Sequence, residues 1–114
     1  MHTPMLLSPA FIKHLLEARL VFYDGGDHYY WLGRVYRLSE GQRHCWQVLW
    51  NNFTKGNLPI HQGRVLAAWY GESTQASDLL RRHAGWKTVI VGDRHGHLWL
   101  HIPDELLETF RTAE

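Results

Sequence analysis

The sequence predicts an α+β fold: a curved antiparallel sheet of about five strands, with N- and C-terminal helices and one or two central helices. Three observations lead there. The chain has 114 residues, 45% of them hydrophobic and 20% charged, which suits one core enclosed by a single α+β domain over residues 1–114. Short runs of aromatic and β-branched residues between Leu20 and Ile102 are separated by Gly- and Asp-rich turn clusters. Apolar residues at helical spacing, Phe11, Ile12, Leu15 and Leu16 at one end and Leu106, Leu107 and Phe110 at the other, frame those runs.

The elements follow in order. Ser8 is a helix cap, and Pro9 fits the first helical position, where its missing N–H is not needed. This helix is expected to end near Arg19. Leu20 to Tyr23 is β-prone, and Asp24-Gly25-Gly26-Asp27 turns the chain because glycine accepts positive φ. His28 to Leu38 then reads as one strand with Gly33 at a bulge, and Ser39 to Gln42 as another turn. From His44 to Trp50 the residues alternate, His44, Trp46, Val48 and Trp50 against Cys45, Gln47 and Leu49, which predicts a third strand of the meander. Asn51 to Pro59 reads as a loop with at most a short edge strand. Val65 to Tyr70 is expected to be helical, and a further helix to begin at Ser73 or Thr74, turning Ala76, Leu79, Leu80 and His83 inward. Gly85 stops it. Lys87 to Val91 and His97 to Ile102 form a hairpin, with Leu98, Leu100 and Ile102 inward and His97, Trp99 and His101 on a half-exposed face. Pro103 opens the last helix.

Several function classes drop out. Cys45 is the single cysteine, so an intrachain disulfide and a thiolate-rich zinc site are both excluded. There is no nucleophile elbow, metalloprotease helix, Walker loop or dinucleotide fingerprint, so no catalytic residue and no cofactor are expected. Met1 to Phe11 lacks a basic stretch followed by a long apolar one. A cytoplasmic location and no membrane partner are the expectation. Among the nine histidines, His95 and His97 are the candidate metal ligands, because a spacing of two on a strand places both on one face about 7 Å apart. His97 and His101, about 13 Å apart, are too distant to share one ion.

Charge is unevenly placed. The net charge is +1, yet nine lysines and arginines face four acids between His28 and His95. A basic middle attracts polyanions. Arg34, Arg37, Lys55, Arg81, Arg82 and Arg94 are the candidate phosphate contacts.

Two segments carry resemblances. Leu20-Val21-Phe22-Tyr23-Asp24, Tyr29-Tyr30-Trp31-Leu32-Gly33-Arg34-Val35 and Gln47-Val48-Leu49-Trp50-Asn51-Asn52 make residues 19–67 resemble the Tudor/SH3-like small barrels. That resemblance implies a site for methylated side chains or nucleic acid near Tyr23, Tyr30 and Trp50. Residues 63–102 resemble a winged-helix arrangement, two helices followed by a β-hairpin. This second resemblance implies a recognition helix carrying Arg81 and Arg82 and a wing tip at Asp93 to His97 carrying Arg94. Long strands upstream and Glu72 in the tight turn depart from that pattern. The expected function is therefore a non-catalytic binding module with nucleic acid as the preferred ligand. The alternative is a protein-binding or homodimerising module using an exposed aromatic sheet face, and the third reading is a small metal-binding protein or enzyme.

Overall fold

Ser8 and Pro9 start the first helix as their chemistry dictates. In the computed structural model, which describes residues 7–67 and 75–113, the Ser8 hydroxyl accepts the Phe11 amide proton at 3.2 Å and helix α1 runs Pro9–Glu17. Phe11, Ile12 and Leu15 are buried, and Arg19 reverses the chain with φ of 56°.

Strands β1 (Val21–Tyr23), β2 (His28–Trp31) and β3 (Arg34–Arg37) form an antiparallel meander in the order β1-β2-β3. The long strand expected over His28 to Leu38 is instead a tight hairpin. Leu32 and Gly33 both have positive φ, 49° and 94°, and Trp31 pairs with Arg34 across this two-residue loop. Such mirror-type turns twist in the sense that the flanking strands require, so Gly33 closes a turn and not a bulge.

The strand expected over His44 to Trp50 is a helix. Helix α2 spans Glu40–Thr54 and is capped by Ser39, whose hydroxyl accepts from the Gln42 amide at 3.4 Å while Gln42 Oε1 accepts from the Ser39 amide at 3.0 Å. Two otherwise orphaned donors are satisfied by this reciprocal pair. Gly41, Cys45, Trp46, Leu49, Trp50 and Phe53 form the buried stripe, a 3.6-residue period beneath the apparent alternation.

The remaining strands belong to a second sheet. Strand β4 (Ile60–His61) leads into helix α3 (Gln62–Leu66), helix α4 spans Ala76–Leu80, and β5 (Ile90–Gly92) turns into β6 (His97–Leu100). Their order is β4-β6-β5, all antiparallel, with His61 opposite His97 and Val91 opposite Trp99. The single five-stranded sheet thus resolves into two three-stranded ones, because α2 interrupts the β-rich sequence. The expected helical residues 68–70 and the helix start at Ser73 or Thr74 lie outside the described residues. Trp99, expected to be half exposed, is buried, since β6 is the central strand of its sheet. Helix α5 (Asp104–Ala113) closes on α1, with the Phe110 ring 5.2 Å from that of Phe11.

Helix α2 holds the molecule together. Its Trp46 ring stacks on Tyr29 of β2 at 3.6 Å and meets Tyr23 and Trp31 edge-on at 6.1 and 5.8 Å. Farther along, Trp50 and Phe53 extend that contact to the same sheet, while α2 also packs against β6, α3 and α4. Among the described residues no helix is long and apolar enough to cross a membrane.

Candidate nucleic-acid interface

The candidate cations fall into two places and an outlier. Arg34 and Arg37 are exposed on β3, with the Arg34 guanidinium 5.0 Å above the Tyr36 ring. Tyr36 in turn meets His83 at 5.9 Å, and the Tyr29 hydroxyl lies 2.6 Å from His83 Nε2. Through these inward-facing rings the segment after α4, with exposed Arg81 and Arg82, is held against β3. Arg94 is exposed on the turn between β5 and β6. Lys55 caps α2 next to Gly56, which adjoins Leu7 and Ile12, so its backbone stands beside α1.

None of these arginines is neutralised by a described residue. Among the described residues the ion pairs are Lys13–Glu17, His28–Asp27 and His97–Asp93, and no arginine has a carboxylate within 4.0 Å. Asp93, the acid beside Arg94, is committed to local structure. Asp93 Oδ1 accepts from the His95 and His97 amides at 2.8 and 2.9 Å, and Oδ2 lies 3.2 Å from His97 Nδ1. The His97 backbone bond is the main reason that the Asp93 carboxyl stays below its ordinary range. This internal clamp shapes the hairpin tip, on which Arg94 and His95 are both exposed.

The candidate aromatic contacts separate. Tyr23 and Trp50 are each 9% exposed, their rings 6.1 Å apart in the core, and the Tyr23 hydroxyl donates to the Gly26 carbonyl at 3.0 Å. A shared sheet face for the two would need a strand at residues 44–50, and Trp50 is a helical residue. Tyr30 lies on the opposite, outer face of the first sheet. It stands in one cross-strand row between Phe22 and Val35, which are 47% and 59% exposed.

Metal chemistry finds little support at the candidate ligands. His97 is engaged by Asp93, and the histidine opposite it in the sheet is His61, with ring centroids 5.7 Å apart. His61 Nδ1 accepts from the Gly63 amide at 3.1 Å, which keeps the proton on Nε2 and turns that nitrogen away from metal binding. Among the described residues no group of three or more His, Cys, Asp or Glu side chains is placed to hold an ion. The His61–His97 pairing rests on a two-residue strand with no legible sequence signal.

His83 is the chemically distinctive group of this region. It is buried, and among the described residues its Nδ1 has no hydrogen-bond partner within bonding geometry. Burial lowers its pKa, an effect that the nearby Arg37 backbone only partly offsets. A folded-state value below the unfolded one means that the unfolded chain takes up the proton first. Stability from this group is complete above the unfolded value of about 6.5 and is lost as pH falls below it. Urea midpoints measured from pH 7 to 5 are expected to fall for the native chain and to flatten in His83→Gln. An unchanged slope in the variant would assign the acid sensitivity elsewhere.

Comparison with family models, with characterised proteins and with solved structures finds no match for this chain.

Proposed function

We propose that residues 39–102 act as a winged-helix DNA-binding module. The observation that carries this reading is topological. The elements run α2, β4, α3, α4, β5, β6, and β4 joins the hairpin through β6 to give the order β4-β6-β5. This order supports the reading, because a winged helix combines three helices with a three-stranded sheet whose first short strand lies between the first two helices. Helices α2, α3 and α4 pack on one another. A helix over residues 40–54 supplies the leading helix that a strand there would deny, and the β1-β2-β3 meander becomes an addition at the N-terminal side.

In this reading α4 and the turn after it enter the major groove, with Arg81 and Arg82 on phosphates, while the wing brings Arg94 to the backbone. Arg34 and Arg37 flank that surface through the Tyr36–His83 contact. With no carboxylate partner among the described residues, their charge is available, and releasing counterions from DNA is the main driving force for such contacts.

A short labelled duplex titrated at about 50 to 200 mM salt tests the reading. Affinity is expected to fall steeply with salt. The triple variant Arg81→Ala, Arg82→Ala, Arg94→Ala is expected to reduce the log–log slope by about 3, close to 0.9 for each phosphate no longer neutralised. Binding that ignores salt, or a slope unchanged in the variant, overturns it. The Phe22–Tyr30–Val35 row, exposed at Phe22 and Val35 and half-buried at Tyr30, favours a second reading, self-association through the first sheet, which predicts a concentration-dependent mass without DNA.

A further inference from the structure

A cleft of about 360 Å³ lies between the β5–β6 hairpin and the segments that open α3 and α4. Its size falls in the range of small-molecule sites, roughly 300–1,000 Å³. Gln62, Gln75, Trp86, Lys87, Asp93 and Arg94 are among the residues that line it. None of Gln62, Gln75 and Lys87 stands out in the sequence, because the fold alone assembles them.

The hydrogen-bonding capacity of this wall is lopsided. Gln62 Oε1 already accepts from the Ala76 amide at 3.2 Å, and its NH₂ group has no hydrogen-bond acceptor among the described residues. Gln75 Oε1 accepts from Ser77 Oγ at 3.4 Å, and its NH₂ likewise has no acceptor among the described residues. The Asp93 carboxylate is spent on the hairpin tip. Lys87 and Arg94 have no carboxylate within 4.0 Å among the described residues. Apart from the Ser77 hydroxyl oxygen, the side-chain acceptors of Gln62, Gln75 and Asp93 are engaged within the wall, while amide donors and the Lys87 and Arg94 charges face it. An acceptor-rich oxyanion complements that set.

Two further features sharpen the ligand. Trp86 is half buried and offers an apolar surface beside the cations, which suits an organic group joined to the anion. Lys87 is held in a left-handed backbone conformation, φ 72°, by its amide bond to the Ile90 carbonyl at 2.8 Å. Side chains seldom adopt that conformation unless surrounding structure imposes it, and such residues concentrate at ligand sites.

We infer that this cleft binds a phosphate monoester. Lys87 and Arg94 neutralise the phosphate, the Gln62 and Gln75 amides donate to its oxygens, and Trp86 covers the organic group. The inference rests on the cleft's own donors. The winged-helix reading bears only on whether the phosphate comes from a DNA backbone or from a free ester.

Phenyl phosphate titrated into the full chain, followed by amide NMR, tests it without DNA. Saturable shifts are expected at Lys87, Gly92, Arg94 and Gly96 and at the Gln62 and Gln75 side-chain amides, with phenol giving none. Lys87→Asn removes the charge while tolerating left-handed φ, and Arg94→Glu lies on an exposed turn, so both are expected to fold. Each is expected to weaken phenyl phosphate binding at least about tenfold, or 1.4 kcal/mol. Shifts that do not saturate, or that persist unchanged in both variants, overturn the site. With saturable binding in hand, a duplex that displaces phenyl phosphate assigns the cleft to a DNA phosphate, and one that leaves it bound assigns it to a free ester. If the duplex does not bind at all, the DNA reading fails while the oxyanion site stands.

Discussion

Replacing Trp46 with Ala is expected to destabilise the chain by about 3–5 kcal/mol in urea unfolding at pH 7, the loss typical of deleting a large core aromatic. Trp46 is fully buried, stacks on Tyr29 at 3.6 Å and on Trp50 at 6.2 Å, and meets Tyr23 and Trp31 edge-on. It is the point at which α2 grips the first sheet, so the cavity borders three elements and cannot close by moving one side chain. Domains of this size have about 5–15 kcal/mol of stability in total, so the variant is expected to lose a substantial share of it. Trp46→Phe is expected to lose less than half as much. The Trp46 indole N–H is buried without a hydrogen-bond partner among the described residues, and removing an unsatisfied donor offsets part of the lost packing. Equal losses in the two variants would contradict this picture of the core.

Gly85→Ala carries the second large effect. A methyl group there would sit 2.5 Å from the Tyr29 hydroxyl oxygen and 3.1 Å from His83 Nε2, inside the hydrogen bond that joins them. Neither side has room to yield. The Gly85 carbonyl accepts from the Val89 and Ile90 amides at 2.8 and 3.0 Å, and the Tyr29 ring is stacked between Trp46 and Tyr36. Overpacking costs about 1–3 kcal/mol, and parting a buried hydrogen-bonded pair adds roughly 1–3 kcal/mol. Denaturant unfolding is expected to show a loss of at least about 2 kcal/mol on these grounds. Gly25→Asn serves as the control, since Gly25 has left-handed φ that Asn tolerates and no neighbour within 4 Å of an added Cβ. A loss in Gly85→Ala no greater than in this control would show that the pair readily rearranges.

The terminal helices and the final hairpin are legible in the sequence because their signals are local and agree. Ser8-Pro9 caps where the apolar period begins, and Asp93 to Gly96 turns between two β-prone runs. The centre is different, because two periodicities compete there. Trp46, Val48 and Trp50 alternate as a strand would, while Gly41, Cys45, Trp46, Leu49, Trp50 and Phe53 repeat as a helix does. The arbiter is Ser39 with Gln42, a capping box that resembles an ordinary polar turn unless its three-residue spacing is weighed. Leu32-Gly33 is similarly ambiguous, since a two-residue hairpin loop with Leu at positive φ lacks the usual Asn or Asp.

Arg81, Arg82 and Arg94 are visible as basic residues, and a helix followed by a β-hairpin is visible as a pattern. The role of His83 in tying the first pair to β3 is not, because it depends on Tyr29, 54 residues away in the chain. The same holds for the cleft, whose wall joins Gln62 to Lys87 across a fold that only pairing of β4 with β6 creates. Contacts of that range leave no mark on local composition.

Backbone amide shifts on adding duplex DNA put the winged-helix proposal to its most direct trial. Resonances of Ala76 to Arg82 and of the hairpin tip from Asp93 to His97 are expected to move, with Phe22, Tyr30 and Val35 unaffected. Shifts confined to that outer row of the first sheet, or no shifts at low salt, would contradict it.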